Sequence, residues 1–148
     1  MSRREGIATN ESQRRSVATT LSLLDEVLCL FEEYGKGREL HSVCYEEDNQ
    51  LSGLQRKRLI EEVDRMRKDM REIKEDLGLP IRTEDVGKKI WGHSVGFLEV
   101  LAEMESKHLR GYGQVPKSLA DYLDPRVERL LHRMQGISTI GRGTDERT

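Results

Sequence analysis

The sequence predicts an all-α fold, an antiparallel helical bundle of three long helices plus a shorter C-terminal helix. The first observation is the period of residues 52–77, where apolar side chains return every three or four positions and most other residues are charged. This is the pattern of a helix that packs one face against its neighbours. The second is composition, since 35% of the residues are charged and only 5% are aromatic, a balance typical of long solvated helices. The apolar residues of this stretch are Leu59, Val63, Met66, Met70, Ile73 and Leu77.

The first helix is predicted from about Ser12 to the glycines at 35 and 37. Its apolar residues recur at spacings of four and three, and a second apolar row flanks them, so we expect this helix to contact two neighbours. The first row is Val17, Leu21, Leu24, Leu28 and Phe31, and the second is Leu23, Val27, Leu30 and Tyr34.

The second helix is predicted to begin at Ser52. Ser52 and Gln55 have the S-x-x-Q spacing of a capping box, in which each side chain bonds the backbone amide of the other residue. Gly78 and Pro80 end the helix, because glycine accepts a left-handed cap and proline cannot continue the ladder. The short link to Thr83 predicts that the second and third helices are antiparallel neighbours.

The third helix is predicted from Thr83 to about Leu109. Glycines at 87, 92 and 96 weaken it by roughly 1 kcal/mol each relative to alanine, so we expect a close backbone approach or a bend. Residues 116–123 are compatible with a short helix. Asp124 followed by Pro125 then predicts the start of the shorter fourth helix, because proline is preset for a first helical turn.

The domain prediction is one helical-bundle domain over residues 12–140, with flexible termini at 1–11 and 141–148. The formal net charge of −2 provides no field that would attract nucleic acid or an anionic membrane, so neither is expected as a partner. Cys29 and Cys44 fit neither a disulfide framework nor a C-x-x-C metal site. Without a signal peptide or a membrane span, the sequence predicts a soluble cytoplasmic protein.

One spacing favours an enzyme. Glu105 and His108 form E-x-x-H, by which one helix of a ferritin-like bundle presents a carboxylate and an imidazole to the same metal. On a helix reaching residue 109, His108 points inward and His93 lies at the edge of the same face. The alternative function is therefore a metal-binding helical-bundle enzyme of the di-metal or magnesium-dependent hydrolase type, with Glu105, His108 and His93 as candidate ligands.

The second helix also carries E-x-x-D at Glu61 and Asp64, and E-x-x-E at Glu72 and Glu75. These pairs resemble the magnesium-binding carboxylates of the all-α, MazG-like nucleoside triphosphate pyrophosphohydrolases. That family has the E-x-x-E pair first and on a separate helix, whereas here both pairs lie on one helix in reverse order. A solvated charged face explains the four carboxylates better.

The favoured function is a non-enzymatic interaction or assembly protein that acts through an amphipathic helix surface. The predicted surface is Val63, Met66, Met70 and Ile73 of the second helix, which resembles a coiled-coil seam. No cofactor and no catalytic residue are predicted. The expected partner is another protein or a second copy of the chain, most simply in a homodimer.

Overall fold

A computed structural model of the chain describes residues 7–143. Five α-helices span Glu11–Gly35 (α1), Gly53–Leu77 (α2), Val86–Ala102 (α3), Ser106–Leu109 (α4) and Lys117–Arg142 (α5), and a 3-10 turn follows α4 at Arg110–Tyr112. Within these residues there is no strand, only an isolated antiparallel bridge between His41 and Glu46. The predicted all-α class is confirmed.

The chain divides into two compact units between Arg82 and Thr83. In the first, α1 packs on α2, and in the second, α3 packs on α5. We call these the N-terminal pair and the C-terminal pair. The single domain over residues 12–140, and the packing of the second helix against the third, stay predictions.

Capping side chains set the start of both helices of the N-terminal pair. At α2, the amide of Gln55 donates to Ser52 Oγ at 3.1 Å, and the amide of Ser52 donates to Gln55 Oε1 at 2.8 Å. The predicted capping box is thus confirmed. Asn10 and Gln13 form an equivalent box at α1. The left-handed Gly78, with φ of 64°, ends α2 as predicted.

The contact between α1 and α2 is filled by full-sized side chains. Leu28 of α1 and Val63 of α2 are each only 2% exposed. Arg67 of α2 donates a hydrogen bond to the Glu32 carboxylate, and a Cβ on Gly35 would meet Ile60. Since the end of α1 meets the start of α2 in this way, the two helices are antiparallel.

The predicted extent of the third helix is wrong, because α3 ends at Ala102 and residues 103–105 form a turn. A separate turn of helix, α4, then begins at Ser106. Its first amide donates to Asp124 Oδ1 at 2.8 Å, and Ser106 Oγ donates to Asp124 Oδ2 at 2.7 Å. A carboxylate distant in sequence therefore anchors the start of α4, so this helix start has no local signal.

The predicted shorter C-terminal helix is also wrong, because α5 has 26 residues and passes through Pro125. Proline removes one helical hydrogen bond, yet residues on both sides of it share the face that packs on α3. Ala120 and Leu123 precede Pro125 on this face, and Val127, which is 1% exposed, follows it. Burial of a continuous face stabilises the helix across the proline.

Glycine residues lie at the contact between α3 and α5. A Cβ on Gly141 would lie 2.8 Å from the Gly87 oxygen and 2.8 Å from the Trp91 nitrogen. Ser94 of α3 and Ser138 of α5 are buried in the same unit. The predicted close backbone approach is confirmed at Gly87, whereas a Cβ on Gly92 or Gly96 would meet nothing within 4 Å.

The predicted flexible termini, residues 1–11 and 141–148, overlap the ends of two helices in the structure. Asn10 caps α1, Glu11 is its first residue, and α5 extends through Arg142. Residues 10–11 and 141–142 therefore belong to helices or caps. The rest of the prediction falls largely on residues 1–6 and 144–148, which lie outside the described residues.

Candidate interaction surfaces

The four residues predicted as the interaction surface divide into two groups in the structure. Val63 is 2% exposed and belongs to the contact with α1, and Met70 is half-buried. Met66 and Ile73 are 40% and 39% exposed. An apolar edge of α2 thus remains uncovered within the chain, next to the residues that hold the N-terminal pair together.

Part of the apolar surface of α1 lies on the same side of the pair. Phe31 follows the buried Leu28 by three positions, as Met66 follows the buried Val63, and three positions rotate a side chain by about 60° around the helix. Because α1 and α2 run in opposite directions, side chains that are rotated by the same angle from the buried residue of each helix project to the same side of the pair. Consistently, Phe31, Tyr34 and Leu59 line one groove between the helices. We call this surface the N-terminal face, and it comprises Val27, Phe31, Met66 and Ile73, which are 38–42% exposed.

The end of this groove is closed by the ordered connection between α1 and α2. Glu47 accepts hydrogen bonds from the Tyr34 hydroxyl and from the Leu40 amide, the latter at 2.9 Å. The bond to Glu47 raises the pKa of Tyr34 to about 12. Asn49 Nδ2 donates to the backbone carbonyl oxygen of Tyr34 at 2.9 Å. The groove has a volume of about 600 Å³ and is acidic at this end, where Glu47 and Asp48 line it.

The C-terminal pair has a corresponding surface. Phe97 follows the buried Ser94 by three positions, and Leu130 follows the buried Val127 by three. Because α3 and α5 are also antiparallel, these residues project to one side of the pair. We call this surface the C-terminal face, and it comprises Val86, Phe97, Val100, Leu119, Leu130 and Ile137, which are 39–69% exposed.

Three arginines flank Leu130 at the edge of the C-terminal face. Arg126, Arg129 and Arg133 line a depression of about 250 Å³ with Leu130. The Arg126 guanidinium lies 3.8 Å from the centroid of the Tyr122 ring and donates to the Tyr122 carbonyl at 2.7 Å. Within residues 7–143, none of the three forms an ion pair. This edge therefore carries three guanidinium groups beside an apolar side chain.

Sequence reasoning missed this arginine cluster. The spacings of three and four along α5 were available in the sequence, but a helix predicted to start at Pro125 placed Arg126 in its first turn. The predicted fourth helix already placed the arginines around Leu130, but the sequence does not show that Leu130 is exposed.

The candidate metal ligands are not presented by one helix face. His93 is exposed on α3, Glu105 lies in the turn after it, and His108 lies in α4. The predicted inward orientation of His108 is wrong, because α3 ends before it and the side chain is 38% exposed. His108 Nδ1 lies 4.0 Å from Glu103 Oε2, and Glu105 Oε2 lies 3.8 Å from Lys107 Nζ.

Within residues 7–143, no group of three or more His, Cys, Asp or Glu side chains is placed to hold a metal ion. Metal binding by Glu105, His108 and His93 stays a prediction. The four carboxylates of the E-x-x-D and E-x-x-E pairs on α2 are all exposed. They therefore lie on the solvated part of that helix.

No helix in the described part of the chain is both long and apolar enough to cross a membrane. Comparison of the chain with known protein families, with curated proteins and with solved structures found no match.

Proposed function

We propose that the protein is a non-enzymatic interaction and assembly protein that binds a protein partner through the apolar faces of its helix pairs. The observation that supports this is the exposure of large apolar side chains on both helix pairs, such as Met66 and Ile73 of α2 and Phe97 of α3. Large exposed apolar patches mark sites of interaction in soluble proteins. The antiparallel helical bundle predicted from the sequence is part of this proposal.

The composition of α3 supports the same proposal. Its 17 residues include only three that are charged, Lys88, Lys89 and Glu99. At about 100° per residue these three lie in one sector, and most of the circumference is apolar or glycine. A helix that is apolar over most of its circumference is normally covered on more than one side. Packing on α5 covers one side of α3, and Phe97 at 48% and Val100 at 53% remain exposed.

The experiment replaces both Met66 and Ile73 by glutamate and compares the mass in solution and the melting temperature with those of the unaltered chain. Both side chains are about 40% exposed, so charge there has little effect on an isolated helix pair but is costly inside an apolar contact. We expect the variant to dissociate from its partner, with helical content unchanged. The control replaces Leu54 and Val43 by glutamate. These two residues are 58% and 96% exposed and lie outside the N-terminal face.

Equal mass and equal melting temperature for the variant and the unaltered chain would reject the proposal. A lower melting temperature with an unchanged one-chain mass would place the face inside the folded monomer and would also contradict the assembly role. Dissociation of the Leu54 and Val43 control would show that the effect is not specific to the face.

A further inference from the structure

One exposed side of α5 carries arginines and apolar side chains but no carboxylate. At about 100° per residue, Arg126, Arg129 and Arg133 lie within a sector of about 60°, which three apolar residues extend to about 100°. These apolar residues are 45–58% exposed, and the arginines are exposed as well. The acids of α5 lie outside the sector. We call this sector the α5 row, and it comprises Arg126, Arg129, Leu130, Arg133, Ile137 and Ile140.

The adjoining side of α3 has the same character. Phe97 and Val100 are 48% and 53% exposed and belong to the C-terminal face. The exposed His93 lies between them around the helix, whereas Glu99, the acid of α3, lies about 160° from Phe97. Neither helix therefore places a carboxylate on this face, which presents apolar, imidazole and guanidinium groups.

The α5 row differs in charge pattern from the exposed bases of α2. One side of α2 alternates in charge, with Lys57, Lys68 and Arg71 beside Glu61, Asp64 and Glu75. The formal net charge of −2 predicts no attraction of the whole chain to anions. However, exposed charges farther apart than about 8 Å are largely screened at physiological salt. The three guanidinium groups of the row therefore determine which surface it attracts.

A protein surface that covered the α5 row would have to supply carboxylates, because burying guanidinium groups without them is costly. Among the described helices, α5 packs on α3 and α4 alone. The same face of a second copy would bring arginines together, which like charges disfavour. In the N-terminal pair, acids already bond arginines of that pair, and other acids of α2 are interspersed with bases. The bonded acids are Glu32 with Arg67, Glu33 with Arg38, and Glu62 with Arg65.

The surface of an anionic bilayer supplies both groups that the row requires. Its phosphates accept charge-assisted hydrogen bonds from guanidinium groups, and its acyl chains cover apolar side chains. Arginine suits this boundary, because its stem stays in the apolar layer while its charged head reaches the polar one. Nucleic acid would supply phosphates but would leave Leu130, Ile137 and Ile140 without an apolar cover.

We infer that the C-terminal face binds the surface of an anionic lipid bilayer, with α5 lying in the plane of the membrane. Leu130 and Phe97 enter the boundary between headgroups and acyl chains, and the arginines bond lipid phosphates. The helix rests on the bilayer and does not cross it. The inference goes beyond the proposed function, since it assigns a lipid surface to the C-terminal face and leaves the protein contact at Met66 and Ile73.

The experiment measures sedimentation of the full chain with lipid vesicles, and a sample without vesicles measures sedimentation of the protein alone. One set of vesicles is phosphatidylcholine, and in the other set one third of the lipid is phosphatidylserine. We expect binding to the second set alone, because the arginines require headgroup charge. Binding should weaken between about 0.1 and 1 M salt, where the screening length falls from about 10 to about 3 Å.

The first variant removes the charge of the row. Each arginine near an anionic surface strengthens binding about fivefold, so Arg126→Gln, Arg129→Gln and Arg133→Gln together should weaken it about 100-fold. Far-ultraviolet circular dichroism checks that the variant is folded. If the triple variant is not folded, Arg133→Gln alone replaces it, with an expected weakening of about fivefold.

A matched control makes the same change of net charge on α2, with Lys57→Gln, Lys68→Gln and Arg71→Gln, and should bind as the unaltered chain does. A further variant, Leu130→Ser with Ile137→Ser, keeps the charge and removes apolar contact. It should also weaken binding to the phosphatidylserine vesicles.

Equal sedimentation with both sets of vesicles would overturn the inference, as would an equal loss of binding in the control and the arginine variant. Binding of a double-stranded DNA fragment but not of vesicles would assign the row to nucleic acid. A lowered melting temperature of the arginine variant, without vesicle binding by the unaltered chain, would show that the row is covered by protein. Both results would overturn the lipid contact. None of them bears on the proposed function, which fails if the Met66 and Ile73 substitutions leave association unchanged.

Discussion

Full-sized side chains fill the contact between α1 and α2, whereas α3 and α5 meet at glycine. In the N-terminal pair, Leu28 and Val63 are buried and Arg67 bonds Glu32. In the C-terminal pair, a Cβ on Gly141 would approach two backbone atoms to 2.8 Å. The two contacts should therefore respond oppositely to a change in side-chain size. Removing atoms should damage the first contact, and adding them should damage the second.

The largest expected effect is in the N-terminal pair. Leu28→Ala removes a side chain that is 2% exposed, so we expect the free energy of unfolding of this pair to fall by about 2–5 kcal/mol, through lost burial and a residual cavity. Urea denaturation followed by circular dichroism measures it. Leu54→Ala is the control at an exposed position, where a change within about 0.5 kcal/mol is expected. Equal effects at the two positions would contradict the assigned core.

The next largest loss of stability is expected in the C-terminal pair, where adding atoms rather than removing them damages the contact. Gly141→Ala adds a methyl group that meets the backbone of α3, and we expect a loss of about 1–3 kcal/mol. Gly136→Ala, on the same helix, meets nothing within 4 Å and should instead stabilise by up to about 1 kcal/mol. Opposite signs in denaturant melts would support the glycine contact. Stabilisation by both substitutions would show that α3 and α5 do not approach at Gly141.

A smaller effect concerns the carboxylate that anchors the segment between α3 and α5. Hydrogen bonds from the Ser106 hydroxyl and amide lower the pKa of Asp124 below its ordinary value of 3.8. A lowered pKa in the folded state gives stability that is present above the ordinary value and is lost as the pH falls through the folded pKa. We expect the protection factor of the Ser106 amide, its exchange rate relative to that of an unstructured amide at the same pH, to fall as the pH drops through the folded pKa. In Asp124→Asn it should be low already at neutral pH, and equal protection in both proteins would contradict the anchor.

The smallest expected effect is a change in the titration of Tyr34, whose hydroxyl bonds Glu47 in the N-terminal pair. Tyr34 donates to Glu47, which raises the pKa of the tyrosine to about 12. In Glu47→Gln the acceptor charge is absent, so Tyr34 should titrate closer to 10.0, the ordinary tyrosine value. Ultraviolet titration of the tyrosines measures the difference between the two proteins. An unchanged titration curve would show that Glu47 does not hold this hydroxyl.

The N-terminal and C-terminal pairs also differ in how closely their helices could be predicted from the sequence. Helices α1 and α2 were predicted closely, because their periodic apolar rows agree with local capping signals at Ser52 and Gly78. The limits of α3 and α5 were not predicted. Asp124 resembles a local helix cap but bonds Ser106, and burial of Val127 and its neighbours against α3 carries α5 through Pro125. Both outcomes depend on contacts distant in sequence.

The candidate surface was predicted in part for a similar reason. Periodicity identified the apolar row of α2, but it does not distinguish Val63, which faces α1, from Met66 and Ile73, which face outward. Among the described helices, α1 packs on α2 alone, and Leu23, Val27 and Leu30 of its second row are exposed. A contact of this row with a second neighbour stays a prediction. The arginines beside Leu130 were on the predicted fourth helix, but their position beside an exposed apolar side chain became clear only from the structure.

The central claim is that the apolar N-terminal face is covered in an assembly of this protein. The mass of the unaltered chain in solution, measured by light scattering over a range of concentrations, tests it most directly. We predict the mass of two 17.1 kDa chains. A mass of one chain at every concentration, with Met66 and Ile73 open to solvent, would contradict the claim.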